Sequence, residues 1–214
     1  PNGKLFKWFP TAQPYQTSPY LPNGTPIDPP PMLLMEGQSQ NKVTAKTANP
    51  VDTTGVVKAG DAAAVLSVVD DTAALAAAGL SAICSSGKVY KLDNSAGSTT
   101  AYITSSASTG NTNVHTVSAY IRGGTGTLGI QNSASGGPFV FTASNSYTFI
   151  TKTQTPSVST KFFLSVYAGQ IVYFILPQLE ESPVVTSVIP NDTGSALTRT
   201  ADALSWPLSA ELQA

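Results

Sequence analysis

Beyond Pro31, apolar and polar residues alternate in short runs rich in Val, Ile, Thr, Tyr and Phe, separated by Gly, Ser and Asn. In an extended chain successive side chains point to opposite faces, so runs with a period of two predict strands. They fall near Ala64 to Val69, Val89 to Leu92, Thr100 to Thr104, His115 to Arg122, Gly126 to Gln131, Phe139 to Ala143, Tyr147 to Thr153, Lys161 to Tyr167 and Gln170 to Leu176. In His115 to Arg122, for example, Val117, Ala119 and Ile121 share one face, and Thr116, Ser118 and Tyr120 share the other. The first face is expected to be core, and the second to meet solvent or a neighbour. Runs at this spacing predict an all-β fold, an antiparallel sandwich of two packed sheets.

One segment departs from this period. Asp71 to Ala78 reads as a short helix, with Asp71 as N-cap, Thr72 to Ala78 as body and Gly79 in the left-handed conformation that closes it. Two turns do not stand alone in water, so the helix is expected across an end of the sandwich as a cover. Gly123-Gly124-Thr125-Gly126 and Ser135-Gly136-Gly137-Pro138 read as turns, because neither precedes a helical pattern as a phosphate-cradling loop would.

The first 31 residues carry nine of the sixteen prolines: Pro1, Pro10, Pro14, Pro19, Pro22, Pro26, Pro29, Pro30 and Pro31. Each fixes φ and removes a backbone donor, which leaves little room for regular helix or sheet. Phe6, Trp8, Phe9, Tyr15 and Tyr20 are interleaved with them. Solvating linkers are poor in aromatics, so the segment reads as an extended arm that docks on a partner through these five residues, with a flexible tail as the competing reading. The expected division is arm 1–31, sandwich 32–206 and C-terminal tail 207–214.

Composition narrows the function. Charged residues make up 11% of the chain, against an ordinary share of about 25%, so the surface is built from small uncharged polar groups. A net charge of -1 provides no electrostatic footprint for nucleic acid. Cys84 is the only cysteine, which excludes an internal disulfide and a Cys/His metal set. No apolar run reaches the length of a membrane span, and the N-terminus lacks the charged-then-apolar order of a signal peptide, so cytoplasmic synthesis is expected.

Candidate chemistry is sparse. Glu180 and Glu181 follow a predicted strand and would point to opposite faces, while Asp70 and Asp71 belong to a helix start; neither pair converges as acid catalysis requires. His115, the only histidine, begins a strand, and no G-x-S-x-G elbow accompanies it. Asp93, Asn94 and Ser95 offer oxygens to a calcium ion, but the same residues are standard turn composition. Tyr102, Tyr120, Tyr147 and Tyr167 are available as sugar platforms or as core. No cofactor, metal or catalytic residue is therefore expected.

Three segments together resemble a family. Pro31-Met32-Leu33-Leu34-Met35-Glu36-Gly37-Gln38-Ser39-Gln40-Asn41 looks like a G-L-L-x-E-x-x-x-T-N opening, with Gln40 where the pattern has Thr. His115 to Gly123 resembles an S-x-Y-x-R-G strand. Phe174-Ile175-Leu176-Pro177-Gln178-Leu179-Glu180-Glu181, Thr186-Ser187-Val188-Ile189-Pro190 and Thr198-Arg199-Thr200-Ala201-Asp202 are similar to an x-Q-L-E-x-G-x-x-x-T-S-x-I-P … T-R-x-A-D ending. All three are features of jelly-roll modules, akin to carbohydrate-binding modules, in bacteriophage tail-fibre and other virion structural proteins. The match spans Pro31 to Trp206 in order. Ser182-Pro183 replaces the small residues usual after the glutamate, and the Trp of carbohydrate-binding relatives is absent from the middle strands.

The resemblance implies a jelly-roll sandwich on a virion structural protein, with Glu36, Asn41, Arg122, Gln178, Glu180, Thr186, Arg199 and Asp202 as fold-bearing motif residues. Glu180 and Arg199 are expected to pair. The expected protein is a non-enzymatic virion component such as a tail fibre, tail appendage or capsid decoration. Its arm would bind other virion proteins, and its copies would form a homo-oligomer, foremost a trimer. A module for host surface glycans is the alternative, and a polysaccharide depolymerase the third reading.

Overall fold

The computed structural model describes residues 38–108, 110–131, 137–158 and 161–201, and the backbone of Tyr15–Gln16 and Met32–Leu33. The chain divides into two compact units, one of residues 39–199 and one of residues 1–38 with 200–214. In the second of these, β1 (Tyr15–Gln16) pairs antiparallel with β2 (Met32–Leu33). The pairing fits within the little room that the prolines leave for regular structure. A ladder of two residues a side uses only non-proline backbone groups, so the surrounding prolines do not prevent it.

Residues 39–199 hold β3 (Ser39–Asn41), β4 (Val56–Gly60), β5 (Val65–Asp70), α1 (Thr72–Ala77), β6 (Lys88–Asp93), β7 (Ala101–Ser105), β8 (His115–Arg122) and β9 (Thr125–Ile130). They continue with β10 (Phe139–Thr142), β11 (Thr148–Gln154), β12 (Phe162–Val166), β13 (Ile171–Glu180) and β14 (Leu197–Arg199). One sheet has the order β10-β9-β12-β7-β4 and the other β11-β8-β13-β6-β5, every pairing antiparallel. From β6 onward, all successive strands except β9 and β10 lie in different sheets, so the fold is a jelly-roll sandwich and not a meander.

Alternation explains the core. Tyr90 and Leu92, Val117, Ala119 and Ile121, and Val172 and Phe174 face inward from the second sheet, against Ile103, Leu128 and Leu164 of the first. Burying each large side chain contributes about 1.5–3 kcal/mol. Part of the other face of the second sheet is covered by α1 and the segment after it, where Leu75, Leu80 and Cys84 pack on Val89, Ile175 and Leu176, while Val65 and Phe149 on its edge strands stay exposed. The helix therefore caps a sheet face rather than the sandwich end, because those outward positions are themselves apolar. Of the two expectations for the Thr116 and Ser118 face of β8, solvent or a neighbour, these two buried positions meet neighbouring segments.

Where β8 passes to β9 the chain crosses between sheets at Gly123 and Gly124, both at positive φ. A Cβ on Gly124 would lie 2.5 Å from the Ile171 carbonyl oxygen, so both the space and the dihedral demand glycine. At the other end of β13 the register against β8 slips by one residue between Ile175 and Gln178, with Leu176 at φ 55. Pro177, which has no N–H to contribute to a ladder, sits in this bulge. The extra residue reverses the side-chain parity, so Leu179 enters the core while Gln178 and Glu180 turn to the outer face.

Candidate functional site

Four motif residues converge at that outer face. Glu180, fully buried, accepts hydrogen bonds from the Ser39 hydroxyl, the Gln178 amide, the Thr186 hydroxyl at 2.6 Å and the Thr186 N–H at 3.3 Å. Gln178 Oε1 accepts from Ile189 N–H at 2.8 Å. Asn41 Oδ1 accepts from the N–H groups of Val43 and Leu179, and its amide donates to the carbonyls of Pro177 and Ile189. A buried carboxylate is tolerated when donors surround it, and here they form one clasp of β3, β13 and the 186–189 segment.

The clasp lies where the chain enters and leaves this unit. β3 and β14 form a two-stranded antiparallel sheet in which Ser39 is opposite Arg199. The expected Glu180–Arg199 pair does not form, since Ser39, Gln178 and Thr186 occupy the carboxylate. Among the described residues the ion pairs are Lys42–Glu181, Lys91–Asp93 and Arg122–Asp71. Glu36 and Asp202 lie outside the described residues, as do Phe6, Trp8, Phe9, Tyr20 and the Tyr15 side chain.

Arg122, the remaining motif residue, does different work. Its guanidinium donates to Asp71 through Nε at 2.6 Å and Nη2 at 2.7 Å, and Tyr147 donates its hydroxyl to the same carboxylate at 2.7 Å. The cation lies 3.9 Å from the Tyr173 ring centroid and 5.6 Å from that of Tyr147. Asp71 does occupy the N-cap position of α1, but its side chain makes no cap bond, because Arg122 and Tyr147 hold it. Gly79 closes the helix at φ +73, as expected.

The acid pairs diverge. Glu180 serves the clasp, and Glu181 binds Lys42, Asn111 and Asn113, which hold its carboxyl down at about 2. Asp70 accepts from the N–H and hydroxyl of Thr72. Asp93 accepts from Ser95 and Lys91, and the amide of buried Asn94 donates to the carbonyls of Thr99 and Tyr167, so this oxygen-rich loop is tied as a turn. Cys84 is buried, and desolvation pushes its thiol up to about 11.

The outer face of the first sheet mixes exposed positions with buried ones, Thr104, Thr127 and Ser165 among the latter. Register places Val57, Thr104, Phe163 and Gly129 in one cross-strand row, and Ala59, Tyr102, Ser165, Thr127 and Val140 in the next. Tyr102 and Phe163 pack at 5.3 Å, Thr127 and Ser165 share a 2.7 Å hydroxyl bond, and Val57 and Val140 flank them at 49% and 58% exposure. None of these positions is charged. Of the other tyrosines weighed as platforms, Tyr147 is buried beside Asp71 and Tyr120 packs on Phe149 at 5.0 Å. Phe163 had escaped notice as a site residue because strand aromatics read as core.

No family model matches the sequence, and no curated protein does. Solved structures are similar in part. The arabinose-bound α-L-arabinofuranosidase MgGH51 is similar over 66% of this chain and 26% of its own, at 16% identity and a TM-score of 0.47. The enzymatically active domain of tailspike protein 4 of bacteriophage CBA120 is similar over 65% of this chain and 21% of its own, at 13% identity and a TM-score of 0.46. The module TmCBM61, in complex with β-1,4-galactotriose, is similar over 65% of this chain and 97% of its own, at 12% identity and a TM-score of 0.45. The chain thus spans well under two thirds of the first two proteins.

Proposed function

We propose that this chain is a non-enzymatic structural protein of a bacteriophage particle, displayed on the virion surface as a tail fibre, tail appendage or capsid decoration. The observation that carries the reading is the use made of the family-type residues. Asn41, Gln178, Glu180 and Thr186 fasten the entering strand β3 to β13 and the 186–189 segment, and the leaving strand β14 pairs with β3, so the chain enters and leaves side by side and the unit is built as a pendant. Its first-sheet face is uncharged, with Val57 and Val140 exposed and Tyr102 and Phe163 half-buried, which suits attachment better than charge-driven chemistry. Residues 1–31 serve as the anchor to other virion proteins, with Phe6, Trp8, Phe9, Tyr15 and Tyr20 as docking groups, and identical copies assemble around an axis, foremost as trimers.

Mass spectrometry of purified particles tests the reading directly: the chain is expected among virion proteins, and deletion of residues 1–31 is expected to leave a folded sandwich that no longer incorporates. Its absence from particles, or normal incorporation of the truncated chain, refutes the proposal. The second reading, a module that binds host surface glycans, is favoured by the half-buried Tyr102–Phe163 pair on this uncharged face. It predicts glycan-array binding that Tyr102→Ala and Phe163→Ala abolish. New reducing ends released from capsular polysaccharide would instead indicate a depolymerase.

A further inference from the structure

His115 lies where β8 begins, with its ring buried. The Asn113 carbonyl can only accept, so ring Nδ1 carries the proton in their 2.7 Å bond. Nε2 then presents a lone pair to the Lys42 ammonium at 3.4 Å. Lys42 also reaches Glu181 at 2.9 Å, and Glu181 accepts from the side-chain amides of Asn111 and Asn113. Among the described residues two charged groups face the ring: Lys42, just after β3, and Glu181, just after β13. Glu180, opposite Thr116 on β13, is turned into the clasp, and β11 presents the neutral Gln154 opposite His115.

We propose that His115, Lys42 and Glu181 form an acid-sensitive latch, which fastens residues 110–114 to the ends of β3 and β13 near neutral pH and loosens them on acidification. A second ring proton turns Nε2 from acceptor to donor and sets an imidazolium against an ammonium where little water can screen them. Lys42 then moves off the ring, and its hold on Glu181 weakens with the move. Burial keeps the imidazole below its ordinary range; Lys42 adds to that, while the Asn113 carbonyl and Glu181 oppose it. Glu181, held at about 2, stays ionised while the ring titrates, so the ring is the trigger.

His115 is the only histidine, so its ring signals in an NMR titration of the full chain are unambiguous. The experiment follows those signals and the amide exchange of residues 110–114, corrected for intrinsic pH dependence, between about pH 7.5 and about pH 4.5, a span that brackets the ordinary imidazole value. Protection of residues 110–114 is expected to fall at least about fivefold along the ring's titration curve, the low end of coupling between linked events. Protection in β12 is expected to hold. Lys42→Met, which removes the opposing cation, is expected to raise the ring's titration midpoint and shrink the loss of protection. His115→Gln is expected to keep the segment protected throughout; if that variant does not fold, Lys42→Met decides alone. Exchange that ignores ring protonation, or a Lys42→Met chain that loosens along the wild-type curve, overturns the proposal.

Discussion

Asp71→Ala should destabilise the sandwich by about 3 kcal/mol. The substitution removes three charge-assisted hydrogen bonds, two from Arg122 at 2.6 and 2.7 Å, each worth about 1.5–3 kcal/mol, and one from Tyr147 at 2.7 Å, and leaves both donors without their acceptor. Breaking a fully buried pair costs about 3–5 kcal/mol. Here the Arg122 side chain is 18% exposed, so water reaches part of it, and the Tyr173 ring at 3.9 Å still contributes about 0.5–2 kcal/mol. Both corrections pull the cost toward the lower end of that range. For a unit of this size the melting temperature should fall by about 6–12 °C. Far-UV circular dichroism is the assay, since it reads the loss of strand structure in residues 39–199 directly. Tyr147→Phe should cost only about 1 kcal/mol, because Asp71 keeps Arg122. The reasoning is refuted if Asp71→Ala costs less than about 1 kcal/mol, or no more than Asp70→Ala, whose carboxylate bonds only Thr72.

Leu75→Ala, at the buried residue of α1, should cost about 2–4 kcal/mol in urea titrations and loosen α1 from the second sheet. Gly126→Ala places a Cβ 1.9 Å from the Ser165 carbonyl oxygen of the neighbouring strand, so expression should yield little folded protein; Gly137→Ala, with nothing within 4 Å, should change stability by less than about 0.5 kcal/mol. Melting temperature against pH should fall in two stages. Neutral buried His115 sits below its ordinary range, so stability declines as pH falls past about 6.5, where the unfolded chain takes up protons first. Asp61, Asp93 and Glu181 are held at about 2, so their contribution is complete above about 5 and is lost as pH drops toward 2; a melting curve flat from pH 7 to pH 2 would contradict both stages.

The large strands were legible because their alternation is strong. His115 to Arg122 has the expected bounds, and Phe139–Thr142 and Phe162–Val166 shift by a residue or two. β4 was not, since Val56-Val57-Lys58-Ala59-Gly60 mixes a lysine and a glycine into an edge strand where only one neighbour constrains the pattern. β13 was expected to stop at Leu176; the bulge there breaks the period of two, and only the tertiary fold shows that the strand resumes. The clasp was marked by the motif residues but not its wiring, because Ser39 and Glu180 are 141 residues apart in the chain. Asp71 illustrates the same limit: local chemistry makes it a cap, and a partner 51 residues away overrides the cap bond.

The neighbouring positions of Ser39 and Arg199 bear on how this unit responds to tension. A pull applied through the two flanking segments loads β3 and β14 in the peeling direction, so their backbone bonds rupture one after another at low force instead of together. The next barrier is the knot around Glu180 and Asn41, and the two large sheets feel the load only after that knot opens. Under load the chain would thus stretch a short tether first and keep the rest of the unit folded.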